Sequence, residues 1–283
     1  MITKIVFAAL LFWIVVFFLV IANLPPGLEN GPTIVFGLLA VVIIGIAASI
    51  FAANKWLSKK FTVSDEKQRY MAFGSIILGM SGESYRMFKI MNMSKGKTKT
   101  QLRDLWDIRD RNGALDTAKY LSTAEGHTPF TDDIYINLVK KGNLELLKKS
   151  LQPEDLQSLK EENARQVDRI KHGILVYEVT RQNLIKNGYT ENELSGINST
   201  AAWDFGRTAQ VARYSAHAGY LQEDEAWEYI KTAAENATKV YANWREYVAG
   251  YLIGRSIGYG NFLPVGPRLF GKNSPFSIVP FKL

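Results

Sequence analysis

Cysteine is missing from all 283 residues. That excludes disulfides, thiolate nucleophiles and cysteine-based zinc sites, and it suits a reducing compartment. Histidine is nearly missing, with His127, His172 and His217 only. No His-Glu-x-x-His or Glu-x-x-His pair puts two of them on one helical turn, so no metal site is expected. His172 and His217 stand just before glycines and read as helix-terminal residues near a C-terminal dipole. Nucleophile elbows, P-loops and Gly-x-Gly-x-x-Gly are also absent, so neither a catalytic residue nor a cofactor is assigned. Sustained period-two alternation is lacking too, which points to an all-α chain.

The most consequential absence is that of charge. Ile5 to Ala22 and Ile34 to Ala53 hold no Asp, Glu, Lys, Arg or His. About 20 apolar residues cross a hydrocarbon core as a helix, so both runs are expected to span a bilayer, as a two-helix hairpin. A second reading makes the first run a cleaved signal peptide, with Lys4 as its basic region and Val20-Ile21-Ala22 as its cleavage site. The run exceeds the h-region of about 7–15 residues, which favours a span. The connector from Asn23 to Thr33 has no Lys or Arg, whereas Lys55, Lys59, Lys60, Lys67 and Arg69 follow the second run. The positive-inside rule then puts both termini in the cytoplasm. Without an ionisable residue in either run, an ion pathway is not expected. Gly45 and Ser49 make a small-xxx-small pair, which either packs the two spans together or assembles copies of the chain into a homo-oligomer.

Three regions are expected: a hairpin over 1–55, a helical cytoplasmic domain over 56–258, and a Pro/Phe-rich tail over 259–283. The net charge of +7 lies almost wholly outside the hairpin. Lys55, Lys59 and Lys60, and further on Lys95, Lys97, Lys99 and Arg103, would each gain about 1 kcal/mol at an anionic leaflet. The alternative is a plain solvated face. No nucleic-acid-binding pattern accompanies the charge, so nucleic acid is not an expected partner.

Helix punctuation divides the domain. Ser64 or Asp65 opens a helix to about Met80, and a second is expected over Glu83–Met93, before a lysine-rich loop, SKGKTKT. Gln101–Ile108 and Asn112–Glu125 follow, the latter stopped by Gly126. Thr131 or Asp132 opens a helix ending near Gly142, and Pro153 starts another. Gly188 stops a helix ending at Asn187, and Thr190 with Glu193 reads as a capping box. The last three helices run from Ser199 or Thr200 to His217, from Gln222 to about Lys239, and from Asn243 to near Gly258. The first has a diffuse apolar face; the second carries a stripe of Ala226, Ile230, Ala233, Ala234, Ala237, Val240 and Tyr241. In the third, Gly250, Gly254 and Gly258 share a face, which predicts a closely packed neighbouring backbone. The tail has prolines at 264, 267, 275 and 280 and cannot be one helix. It either wraps the domain or is an extended segment that docks on a partner.

Trp203-Asp204-Phe205-Gly206-Arg207 is the sharpest local pattern. Asp204 and Arg207 can pair at i,i+3, and Trp203 and Arg207 can stack at i,i+4. The group reads either as a structural clamp or as a ligand site that Arg255 and Glu225 would join.

Leu105-Trp106-Asp107-Ile108-x-Asp110-Arg111, Leu121 with Glu125-Gly126-His127, Ala202-Trp203-Asp204-x-Gly206-Arg207, Ala218-Gly219-Tyr220-Leu221, Glu225-Ala226-Trp227, and Trp244 with Gly254-Arg255 resemble the bacterial family called domain of unknown function 1266. The resemblance covers roughly residues 70 to 260 and carries no catalytic residue with it; the hairpin and the tail fall outside it, and the bilayer is expected to be a bacterial inner membrane. The expected function is protein–protein interaction at the cytoplasmic face, as an immunity or accessory factor in one version. The alternative is a membrane-tethered enzyme or small-ligand binder centred on Asp204, Arg207 and Arg255.

Overall fold

The computed structural model describes residues 2–23, 31–125, 175–259 and 267–283. Among the described residues the chain is predominantly helical, with one isolated antiparallel bridge, Thr62 to Met87, and no strands. It divides into two units: Met1–Val63 with Met87–Ser94, and Ser64–Arg86 with Lys95–Leu283.

The first unit holds α1 (Ile2–Ala22) and α2 (Gly31–Phe61). Within α2, Ile34–Ala53 is long and apolar enough to cross a membrane; the apolar stretch of α1, Leu10–Ala22, is shorter. α2 continues past the apolar run, so Lys55, Lys59 and Lys60 lie on its last turns, and Lys60 Nζ sits 4.8 Å over the Trp56 ring. Trp13 packs where a Cβ on Gly45 would stand, and its Nε1 donates to Ser49 Oγ at 3.2 Å. The small-residue pair thus receives an indole from the same chain.

In the second unit, α3 (Asp65–Ala72) and α4 (Ser75–Met80) replace the single helix expected over this stretch. At the junction, Phe73–Gly74, a Cβ on Gly74 would overlap that of Ala209. Residues 83–93 form turns and bends, not the expected helix, and the supposed lysine-rich loop is the start of α5 (Lys95–Trp106). Thr98 and Leu102, one turn apart and fully buried, draw that segment into a helix. α6 (Arg111–Thr123) starts at an Asp110 cap and ends at Ala124 in the left-handed region (φ 52°), so the expected Gly126 stop is displaced. The expected helices from Thr131 and Pro153 lie outside the described residues.

α7 (175–186) is followed by Gly188 in the left-handed region, and α8 (Glu191–Ser195) carries the Thr190–Glu193 capping box. α9 (Ala202–Ala218), α10 (Glu223–Val240) and α11 (Trp244–Tyr259) complete the bundle. α9 lies at its centre, against α4, α5, α6, α10 and α11. Its apolar face looked diffuse because nearly the whole circumference is buried. The alanine stripe of α10 is buried as expected from Ala226 to Ala237, but Val240 is exposed. Two of the glycines of α11 face the backbone leading into α9: a Cβ on Gly250 would stand 3.0 Å from the Ser199 carbonyl, and one on Gly254 2.9 Å from that of Thr200, whereas Gly258 faces the Trp203 ring.

The described tail is not extended throughout. Pro267–Phe270 makes a 3-10 turn, and α12 (Pro275–Ile278) is a single helical turn with proline at its start and a Ser274 cap. Phe276 and Phe281 pack into the core with Phe73 and Trp244.

Candidate functional site

Trp203, Asp204 and Arg207 occupy the first turns of α9, and two features hold that end in place. The Tyr241 hydroxyl accepts from the Ala202 N–H and donates to the Ser199 carbonyl, both at 2.9 Å, doing the work of a cap. Gly254 and Gly258 leave room for Thr200 and the Trp203 indole. Asp204 is 1% exposed and pairs with Arg207, whose side chain is 15% exposed. The Arg207 guanidinium lies 3.6 Å from the centroid of Trp203 and 5.3 Å from that of Trp106. Trp203 meets Tyr259 edge-on at 5.4 Å, and Arg255 sits 5.2 Å over the Tyr259 ring.

Burial pushes the Arg207 guanidinium down to about 10, partly offset by Tyr259, Tyr251 and Tyr120, so it stays protonated at neutral pH. Burial also pushes the Tyr251 hydroxyl up, against the pull of Arg207 and Arg255. Arg207 Nε is buried without a hydrogen-bond partner. The arrangement holds charge and planar surfaces in position.

Sequence reasoning grouped Glu225 with this cluster, and the structure puts it elsewhere. It stands at the start of α10, accepts from the Gln222 N–H at 2.8 Å, and forms a two-pronged pair with Arg111. The hydrogen bonds from Arg111 hold its carboxyl down at about 2. Arg111 also donates to the Tyr220 carbonyl at 3.1 Å, which ties α6 to the turn before α10.

A second buried charge pair escaped the sequence reading. Arg213 Nη1 donates to Glu83 Oε2 at 2.6 Å, and the Tyr214 hydroxyl donates to Glu83 Oε1 at 3.0 Å. Gln210 Nε2 donates to Ser81 Oγ at 2.8 Å beside them. Burial lowers the Arg213 pKa while Glu83 opposes that shift. The available signal was an arginine in a helix of small residues, which has to find a counter-charge. Its partner lay in a segment assigned to the wrong structure.

Among the described residues no group of three or more His, Cys, Asp and Glu could hold a metal ion. His127 and His172 lie outside those residues; His217 is in the last turn of α9.

The profile of the family described as Protein of unknown function (DUF1266) matches residues 101–262, more than half of the chain. The chain belongs to this family. The DUF1266 region includes Trp106, the whole Trp203–Arg207 group, Arg213, Glu225 and Arg255, whereas α1 to α4 and the 3-10 turn and α12 of the tail fall outside it. No curated protein and no solved structure matches the chain.

Proposed function

We propose that this DUF1266 protein is anchored in a membrane by α1 and α2 and uses its helical domain at the cytoplasmic face to dock a protein partner. The observation that carries the anchoring is the exposure of Ile34–Ala53. Only 6% of that apolar stretch is buried inside the protein, whereas the core helix of a water-soluble protein would be mostly covered. Phe36, Ile44 and Phe51 each leave more than 60% of their surface open, as lipid-facing side chains do. The lysines at the end of α2 and the absence of Lys and Arg from the connector before it support an orientation with both termini on the cytoplasmic side. A bacterial inner membrane is the compartment the family resemblance suggests.

Docking is supported by how the domain uses its charges. Asp204 is tied to Arg207, Glu83 to Arg213 and Glu225 to Arg111. Leu105 (70% exposed) and Tyr259 (59%) leave large apolar surfaces open instead. Cross-linking in intact membranes at native expression, followed by detergent purification, tests this reading. A discrete stoichiometric complex with a second protein is expected; a chain that purifies alone would contradict it.

One observation favours a second reading, a small-ligand site at Asp204, Arg207 and Arg255: the unaccepted Nε–H of Arg207. Asp204→Asn combined with Arg207→Gln separates the two. Loss of function with an unchanged melting temperature supports the ligand site, and loss of folding supports the clamp.

A further inference from the structure

Residues 267–283 hold themselves together. Ser274 Oγ accepts from the Phe276 N–H at 3.2 Å and donates to the Leu269 carbonyl, and Ser277 Oγ donates to the Phe270 carbonyl at 2.9 Å. Backbone bonds from Ser274 to Gly271 and from Val279 to Pro275, both 2.8 Å, close the same small loop. A segment that satisfies its own polar groups is partly pre-organised before it touches anything else.

Its hold on the rest of the domain rests mainly on aromatic rings and one carbonyl. Phe276 and Phe281 lie 5.2 and 5.0 Å from the Trp244 ring, and Phe281 lies 5.5 Å from Phe73. The Val279 carbonyl accepts from Trp244 Nε1 at 2.7 Å, and Phe270 adds an edge contact to Tyr189 at 6.1 Å. Phe73, Trp244 and Tyr247 also pack on one another, and the Tyr247 hydroxyl donates to the Phe73 carbonyl at 2.7 Å. The receiving surface is therefore a connected unit in itself.

Packing stops on the other side of Phe276. An open cleft of about 550 Å³ lies there, bordered by Ser75, Ile76, Leu269 and Lys272, and Ser75 Oγ is buried without a hydrogen-bond partner. Phe276 thus meets the core on one side and an open cleft on the other.

We propose that Phe73, Trp244 and Tyr247 form a peptide-binding socket that residues 267–283 fill in cis. The partner it fits is a protein segment with two aromatic side chains five residues apart and a backbone carbonyl free between them, the pattern of Phe276, Val279 and Phe281. This rests on the docking reading above and names the surface used. Tethering gives the chain's own segment an effective concentration of about millimolar order. A partner segment therefore binds only by outcompeting it.

The test uses the full detergent-solubilised chain with a protease recognition sequence inserted between Gly266 and Pro267, cleaved after folding. The probe is a fluorescent peptide of residues 267–283, compared with the same peptide carrying Phe276→Ala and Phe281→Ala. After cleavage the first peptide should exchange into the protein saturably, one per chain. The alanine peptide should bind at least tenfold more weakly, and uncleaved chain should take up little of either. Loss of helical circular dichroism on cleavage, failure of the peptide to exchange, or equal binding of both peptides would each overturn the socket. No readout involves a membrane or a cellular partner, so failure here is distinguishable from failure of the docking reading.

Discussion

Arg213 and Glu83 stand 130 positions apart in sequence and pair at 2.6 Å, with 1% and 4% of their side chains exposed. Together they join the turn after α4 to the buried centre of α9. Removing one partner leaves a buried charge uncompensated, which costs about 3–5 kcal/mol, whereas replacing both by apolar residues is often neutral. Arg213→Met should therefore lower the melting temperature by roughly 10 °C, and Arg213→Met with Glu83→Leu by much less. Thermal unfolding of both variants checks this; equal losses would contradict the pairing.

Gly254 is required by the closeness of Thr200. A Cβ there would stand 2.9 Å from the Thr200 carbonyl, so Gly254→Ala should destabilise by about 1–3 kcal/mol despite alanine's better helix propensity. Gly79, whose Cβ would meet nothing within 4 Å, should accept alanine without loss. Denaturant midpoints of the two variants should move in opposite directions or differ by at least the cost at Gly254.

Arg207 holds its place through geometry as well as charge. Lysine keeps the charge but lacks the planar fork that stacks on Trp203, so Arg207→Lys should cost about 1–2 kcal/mol. Equal stability of the lysine variant and the wild type in chemical denaturation would remove the stacking from the account.

Acid should weaken the domain through its surface pairs. Arg245 holds Glu193 down at about 2, Arg181 does the same for Glu178, and Arg111 for Glu225. A carboxylate with a depressed folded pKa contributes stability above its unfolded value, near 4.5, and that contribution is lost as pH falls toward 2. These groups are partly exposed, so solvent screening reduces each effect. Melting temperatures measured from pH 7 to pH 3 should fall below about pH 4.5, and Glu193→Gln should flatten that fall.

Local rules made much of this fold legible. The Thr190–Glu193 box, the Asn243 side chain accepting from the Glu246 N–H, and Gly219 behind α9 each involve residues within one turn. The glycine face of α11 was also readable, because three such residues in register need a reason to be there. What was hidden depends on distant partners. The close approach of Gly74 to Ala209 is one such contact, and the helical start of α5 goes with the burial of Thr98 and Leu102. Glu225 was misgrouped because its partner, Arg111, lies on α6, 114 positions away. At the Trp203–Arg207 group the pairing and stacking were legible from helical spacing, whereas Trp106, Tyr251 and Tyr259 came in from other elements.

Membrane anchoring with the domain on the cytoplasmic side is the claim on which the docking account stands. Carbonate extraction of membranes from cells expressing the full chain, followed by protease treatment of oriented vesicles, tests it most directly. The account predicts that the chain stays in the pellet and that its helical domain is digested only when the cytoplasmic face is exposed. Release by carbonate, or digestion from the opposite face alone, would contradict it.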